Sequence, residues 1–110
     1  MKNIRKWWSV LKDKIFAARI VEVLHGEELP VRISKRNLVL VIDRNEHWCV
    51  GMMCPCGCKQ KIELPLIREA SPRWKLEVNQ HGNPTISPSI WLNTGCRSHF
   101  FVRAGKIIWV

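Results

Sequence analysis

The sequence predicts a mainly β fold: a small, mostly antiparallel β domain with zinc-ribbon-like hairpins and one N-terminal amphipathic helix. Three observations carry this. A helical three- and four-residue apolar period is confined to residues 3–19. From residue 19 onward, short β-branched runs alternate with turn-forming stretches. Four of the five cysteines fall in two tight clusters far apart in sequence, the arrangement that clips a small fold shut.

In the helical stretch, Ile4, Trp7, Trp8, Leu11, Ile15 and Ala18 recur at helical steps. Lys6, Lys12, Asp13 and Arg19 fall mostly elsewhere around the barrel. Trp7 and Trp8 are adjacent, so they cannot both occupy the centre of one narrow stripe. The helix is expected to pack on the domain or on a partner, with peripheral membrane contact through residues 3–19 as the lesser reading.

RIVEVL (19–24), PVRI (30–33) and LVLVI (38–42) read as strands, separated by turns at 25–30 and 34–37. HWCVGMM (47–53) and KIELPLI (61–67) form a hairpin with the cysteine-rich run MCPCGCKQK at its tip. Gly57 can take the left-handed angles that so tight a knuckle needs. A strand at 74–78 precedes a turn at 80–84. TISPSIWL (85–92) is an irregular strand. Pro84 and Pro88 lack an N–H, which places it at a sheet edge or crossing between sheets. FFVRAGKIIWV closes as a hairpin turning at Ala104-Gly105, with Phe101 and Ile107 expected in the core.

The 110 residues suit one core. Formal charge is +9, from 18 Lys and Arg against 9 Asp and Glu. That surplus favours acidic partner surfaces or polyanions without specifying a fold. The first 19 residues hold six basic side chains against Asp13 alone. No segment is apolar enough over a sufficient length to span a membrane, and MKNIRKWWSVLKDKIF lacks the pattern of a signal peptide. Reduced thiols in a cytoplasmic protein are therefore expected.

Cys54, Cys56 and Cys58 are too close for ordinary disulfides with one another. With Cys96-Arg97-Ser98-His99 they supply five soft candidate ligands for a tetrahedral ion. The expectation is one structural Zn2+ held by two of the three knuckle cysteines, foremost Cys54 and Cys56, together with Cys96 and His99. This divides the chain into a helix at 1–19 and a β-rich zinc-binding domain at 20–110. Cys49, between Trp48 and Val50, reads as an inert buried thiol.

A closed metal site leaves no open coordination position for catalysis, and no HExxH motif occurs. No catalytic residue is singled out, and a protein-interaction module is favoured over an enzyme. A basic nucleic-acid-binding protein is the alternative, and a small metal- or thiol-dependent hydrolase ranks below it.

The segments WCVGMMCPCGCKQKIEL, PRWKLEV, PTISPSIW and GCRSHFFVRAGKIIW resemble a small bacterial domain-of-unknown-function family. Its signature is a CPCGC block followed by TLSPSIW and GCRSHFW. Cys54, Cys56, Cys58, Cys96 and His99 all fall on signature positions, so the resemblance implies the same metal site. The signature also carries polar positions that a metal clip alone does not need, Ser87, Ser89, Arg97 and Ser98, which the resemblance implies serve as hairpin and metal support or as a surface that docks a protein partner. It also implies an accessory role beside bacterial ubiquitin-like proteins and their activating and conjugating enzymes, in mobile or defence-linked operons. Two departures stand out. Lys59 occupies a position that is often glycine, and IIWV replaces a Trp-Cys ending.

Overall fold

The computed structural model describes residues 2–110, and the side chains of residues 7, 8 and 10–110. Helix α1 (Lys2–Ile15) is followed by β1 (Val21–His25), β2 (Leu38–Asp43), β3 (Glu46–Met53) and β4 (Lys61–Pro65). Next come β5 (Lys75–Val78), β6 (Pro84–Trp91), β7 (His99–Arg103) and β8 (Lys106–Trp109). The strands form two four-stranded sheets, in the orders β1-β2-β3-β4 and β5-β6-β7-β8. The fold is thus a mainly β, two-sheet domain with one N-terminal helix.

All pairs but one are antiparallel. β1 lies parallel to β2, which is sterically open to it because twelve residues separate the two strands. Within that connection, 30–33 forms no strand, against the sequence expectation. Val31 is 90% exposed, whereas Leu29 is buried. Leu29 fills the space over Gly51, where an added Cβ would stand 2.5 Å from Leu29 Cδ2. Leu29, the half-buried Ile33 beside it and a hydrogen bond from Lys61 Nζ to the Pro30 carbonyl at 2.9 Å, rather than ladder pairing, hold this segment.

The main core lies between the sheets. Leu38, Val50, Met52, Ile62 and Leu64 meet Ile86, Ile90, Phe100, Val102 and Ile107 there. Each fully buried side chain of this kind contributes about 1.5–3 kcal/mol. Val39, Val41 and Cys49 face the other way, onto Leu29. That two-sided burial explains the unbroken apolar run of β2. In β7 the inward residues are Phe100 and Val102, so Phe101 falls on the outer face, opposite Ile108. The expected core position is one residue off, which flips the face.

β6 is an interior strand, paired on both sides, not the edge expected from its prolines. Its ladder to β7 lapses between Ile86 and Ile90, and Pro88 falls inside that lapse. Pro84 is the first residue of the strand, where its carbonyl accepts from the Gly105 N–H at 2.8 Å. The prolines thus occupy the places where a missing donor costs no ladder bond.

The helix is tied down by a polar knot. Asp13 is buried; its Oδ1 accepts from Arg19 at 2.8 Å and from Arg36 at 3.1 Å. Asp13 Oδ2 accepts from the Ile107 N–H at 3.1 Å, and Lys106 Nζ donates to the Asp13 carbonyl at 2.6 Å. That last bond also satisfies a carbonyl near the helix C-terminus, where cations are favoured.

Candidate metal centre and active site

The hairpin of β3 and β4 ends in a knuckle closed by two backbone bonds. The Cys54 N–H donates to the Gln60 carbonyl at 2.8 Å, and the Gly57 N–H donates to the Cys54 carbonyl at 3.3 Å. Gly57 has φ +90° and Lys59 has φ +67°. These left-handed turns let cysteines two apart converge instead of alternating across a flat strand. The turn before β7 brings Cys96 to them from the other sheet.

Among the described residues, the sulfurs of Cys54, Cys56, Cys58 and Cys96 all lie within 4.8 Å of one another. Cys54–Cys56 is 3.4 Å, Cys58–Cys96 is 3.5 Å and Cys54–Cys96 is 3.7 Å. A tetrahedral ion with sulfur ligands at about 2.3 Å separates its sulfurs by about 3.8 Å. The four thiols therefore fit a single metal ion. Burial pushes the Cys54 and Cys58 thiols up. It acts the same way on Cys96. There, hydrogen bonds from the Ser98 hydroxyl and backbone and from Cys58 and Cys56 outweigh it, and the thiol is lowered to about 6. The hydroxyl of Ser98, itself only 3% exposed, lies 3.1 Å from Cys96 Sγ and 3.8 Å from Cys54 Sγ.

Cys49 is a contrast in kind. It lies among apolar neighbours on the far face of its sheet. Burial and then the nearby Glu63 charge push its thiol up to about 11.

His99 does not join the sulfurs. Ser98 and His99 are consecutive, and neighbouring side chains of an extended segment leave on opposite faces. Ser98 turns inward to the thiols, and His99 turns outward. On that outer face His99 Nε2 lies 2.9 Å from Ser89 Oγ. His99 is directly opposite Trp91 in the β6–β7 register, and the two rings stack at 4.6 Å with 2° between their planes. Ser89, two residues before Trp91, shares its face. It sits at the end of the lapse in pairing, where a strand can re-aim a side chain. Trp74 Nε1 donates to the Ser89 carbonyl at 3.3 Å, fixing the serine backbone from the residue just before β5.

Of the other polar residues singled out in the sequence, Ser87 and Arg97 are exposed. Arg97 has φ +53° and its N–H donates to the Thr94 carbonyl at 3.4 Å in the turn before β7. The Ser89–His99 contact, with Trp91 and Trp74 as its supports, was not anticipated from sequence. The one available signal was a polar, proline-broken strand that could not pair regularly.

Fold and site define a two-sheet β domain with a four-cysteine cluster able to hold a metal and a serine–histidine pair on adjoining strands. A family model described as "Bacterial ubiquitination-like system serine protease (BubE)" matches residues 25–110, and the chain belongs to that family. No curated protein and no solved structure matches it. Membership ties this small bacterial domain to a ubiquitin-like system. It also corrects the expectation that a protein-interaction module is favoured over an enzyme, because the family is described as one of serine proteases. That expectation assigned His99 to zinc, which took the imidazole away from any nucleophile.

Proposed function

We propose that the chain is a serine protease in which Ser89 is the nucleophile and His99 the general base, acting on a polypeptide of a ubiquitin-like modification system. The 2.9 Å contact between Ser89 Oγ and His99 Nε2 carries this reading. It is within the range in which a hydroxyl gives up its proton to an imidazole. Ser98, which lies beside the cysteine cluster on the inner face, is buried and occupied with thiols.

The steps follow from the geometry. With its proton on Nδ1, His99 accepts the Ser89 proton at Nε2 while Oγ attacks the scissile carbonyl carbon. The resulting imidazolium gives that proton to the departing amine as the C–N bond breaks. Water, deprotonated by the same nitrogen, then attacks the acyl carbon; the C–Oγ bond breaks, the imidazolium returns the proton to Ser89 Oγ, and the acid product leaves. The stacked indole of Trp91 holds the plane of the imidazole, a task that a carboxylate performs in a catalytic triad.

The metal that the four thiols fit is proposed to be one structural Zn2+, with Cys54, Cys56, Cys58 and Cys96 as its ligands. When bound it supplies closure between the two sheets. The chain from Cys96 to His99 then holds the base in position, with Ser98 as the buried strut.

Treatment with a fluorophosphonate probe followed by peptide mapping tests the assignment. Ser89 should carry the label, and Ser89→Ala should lose labelling and about 10³-fold or more in proteolysis while its fold is retained. His99→Gln should show a comparable loss. Label found on another serine, or undiminished cleavage by Ser89→Ala, would falsify the proposal.

A further inference from the structure

Helix α1 presents its apolar stripe away from the domain. Asp13 marks the inner side, bonded to Ile107, Arg19 and Arg36, and the helix rests on β8. Successive residues step round a helix by about 100°, which puts Leu11 and Ile15 nearly opposite Asp13, with Trp7 and Trp8 flanking them. Three of the four are exposed, Trp7 at 59%, Trp8 at 51% and Ile15 at 68%, while Leu11 between them is half-buried. A water-soluble helix normally buries this stripe and exposes its polar side. Here the polar side is the docked one.

Charge points to the occupant of that stripe. The helix carries Lys2, Arg5, Lys6, Lys12 and Lys14. Its one acid, Asp13, is already paired with Arg19 and Arg36, so it offsets none of that charge toward a partner. The indoles of Trp7 and Trp8 meet edge to face at 5.2 Å and 73°, spreading apolar surface across a wide sector. A protein groove takes a narrow ridge of anchors spaced three and four apart. A broad tryptophan-bearing stripe on a basic helix suits the boundary of an anionic bilayer, where indoles sit at headgroup depth and lysines reach the phosphates. Among the described residues no helix is long and apolar enough to cross a membrane.

We infer that α1 is a peripheral anchor that lays Trp7, Trp8, Leu11 and Ile15 into the surface of an anionic phospholipid membrane. This inference is independent of the protease assignment, and its test reads no activity. The full chain is sedimented with vesicles of phosphatidylglycerol and phosphatidylcholine in equal parts, and separately with phosphatidylcholine alone. Binding is expected to the anionic vesicles, with a blue shift in tryptophan emission, and to weaken as salt is raised. Trp7→Ser combined with Trp8→Ser should lose about tenfold or more in vesicle affinity, as should Lys12→Glu combined with Lys14→Glu. Both pairs are exposed, and circular dichroism checks that each variant remains folded. The inference is overturned by equal binding to both vesicle types, by undiminished binding of the tryptophan variant, or by no binding to either. The last result would assign the stripe to an acidic protein surface instead.

Discussion

The two sheets of this molecule have the same number of strands and opposite duties. The first, β1 to β4, is buried on both faces at its centre. It contributes three thiols at a hairpin tip, with Cys49 sealed away behind them. The second, β5 to β8, is buried on one face and open on the other. On the open side it sets Ser89 and His99 together; on the other it sends a single thiol, Cys96, across to the first sheet. The lesson is a division of labour within one core. The first sheet, bulged between Val41 and Ile42 and left-handed at Gly57 and Lys59 in its knuckle, supplies three of the four thiols. The second, whose β6–β7 ladder lapses around Pro88, supplies Cys96 and the Ser89–His99 contact, as expected where local irregularity is put to use.

The largest expected effect tests whether the sheets depend on each other through the thiols. Cys96→Ala should lose the bound metal, and with it most of an apparent binding free energy of about 10 kcal/mol or more. Elemental analysis and a melting curve check this. Unchanged melting in the metal-free protein would mean that the core alone holds the sheets together. Next in size is Asp13→Ala. It strands the buried Arg19 and the Ile107 N–H, and should cost about 3–5 kcal/mol in denaturant unfolding. Because the knot lies at the β8 edge, cleavage by the surviving folded fraction should be unaltered.

A smaller effect sharpens the link between metal and base. Ser98→Ala removes the hydroxyl 3.1 Å from Cys96 Sγ and should weaken metal affinity about 10- to 100-fold. Competition with a chromogenic chelator reads it. Affinity equal to that of the unaltered chain would reduce Ser98 to a packing residue. The smallest concerns the knuckle. Lys59 bears φ +67°, a conformation costing a residue with a Cβ about 1–2 kcal/mol. Lys59→Gly, which removes that Cβ, should therefore raise stability by about 1 kcal/mol or less, since glycine also loses more chain entropy on folding.

Much of the fold was legible. Alternation in KIEL and the unbroken run LVLVI reported one-sided and two-sided burial, and both strands lie where those patterns put them. The connection at 30–33 misled because PVRI has β-forming residues, yet its burial is decided by Leu29 and Gly51, a contact distant in sequence. The interior place of β6 was hidden for a related reason. A proline excludes a strand from a sheet centre only where the ladder is regular, and regularity depends on the partner strand. At the site, the clustering of the cysteines pointed to their convergence, but one knuckle thiol was expected to stay out and all three join Cys96, because the left-handed residues of the knuckle fold it more tightly than its spacing suggests. His99 was misread because Cys-x-x-His fits a chelating arm as well as it fits a turn entering a strand. Only the backbone conformation at 97–99 decides which face the imidazole takes.

The four-thiol cluster has a topological consequence. With an ion seated there, the chain between Cys58 and Cys96 becomes a closed ring. Strands β4, β5 and β6 lie inside it, Ser89 among them, and His99 stands just beyond the fastening. Closing such a ring removes disorder from the unfolded chain as a covalent cross-link does, but this fastening opens whenever the ion is withdrawn. The two partners of the proposed catalytic pair thus belong to different segments, one within the ring and one outside it. Ion supply would then act on the entropy of assembling the pair, without touching either residue.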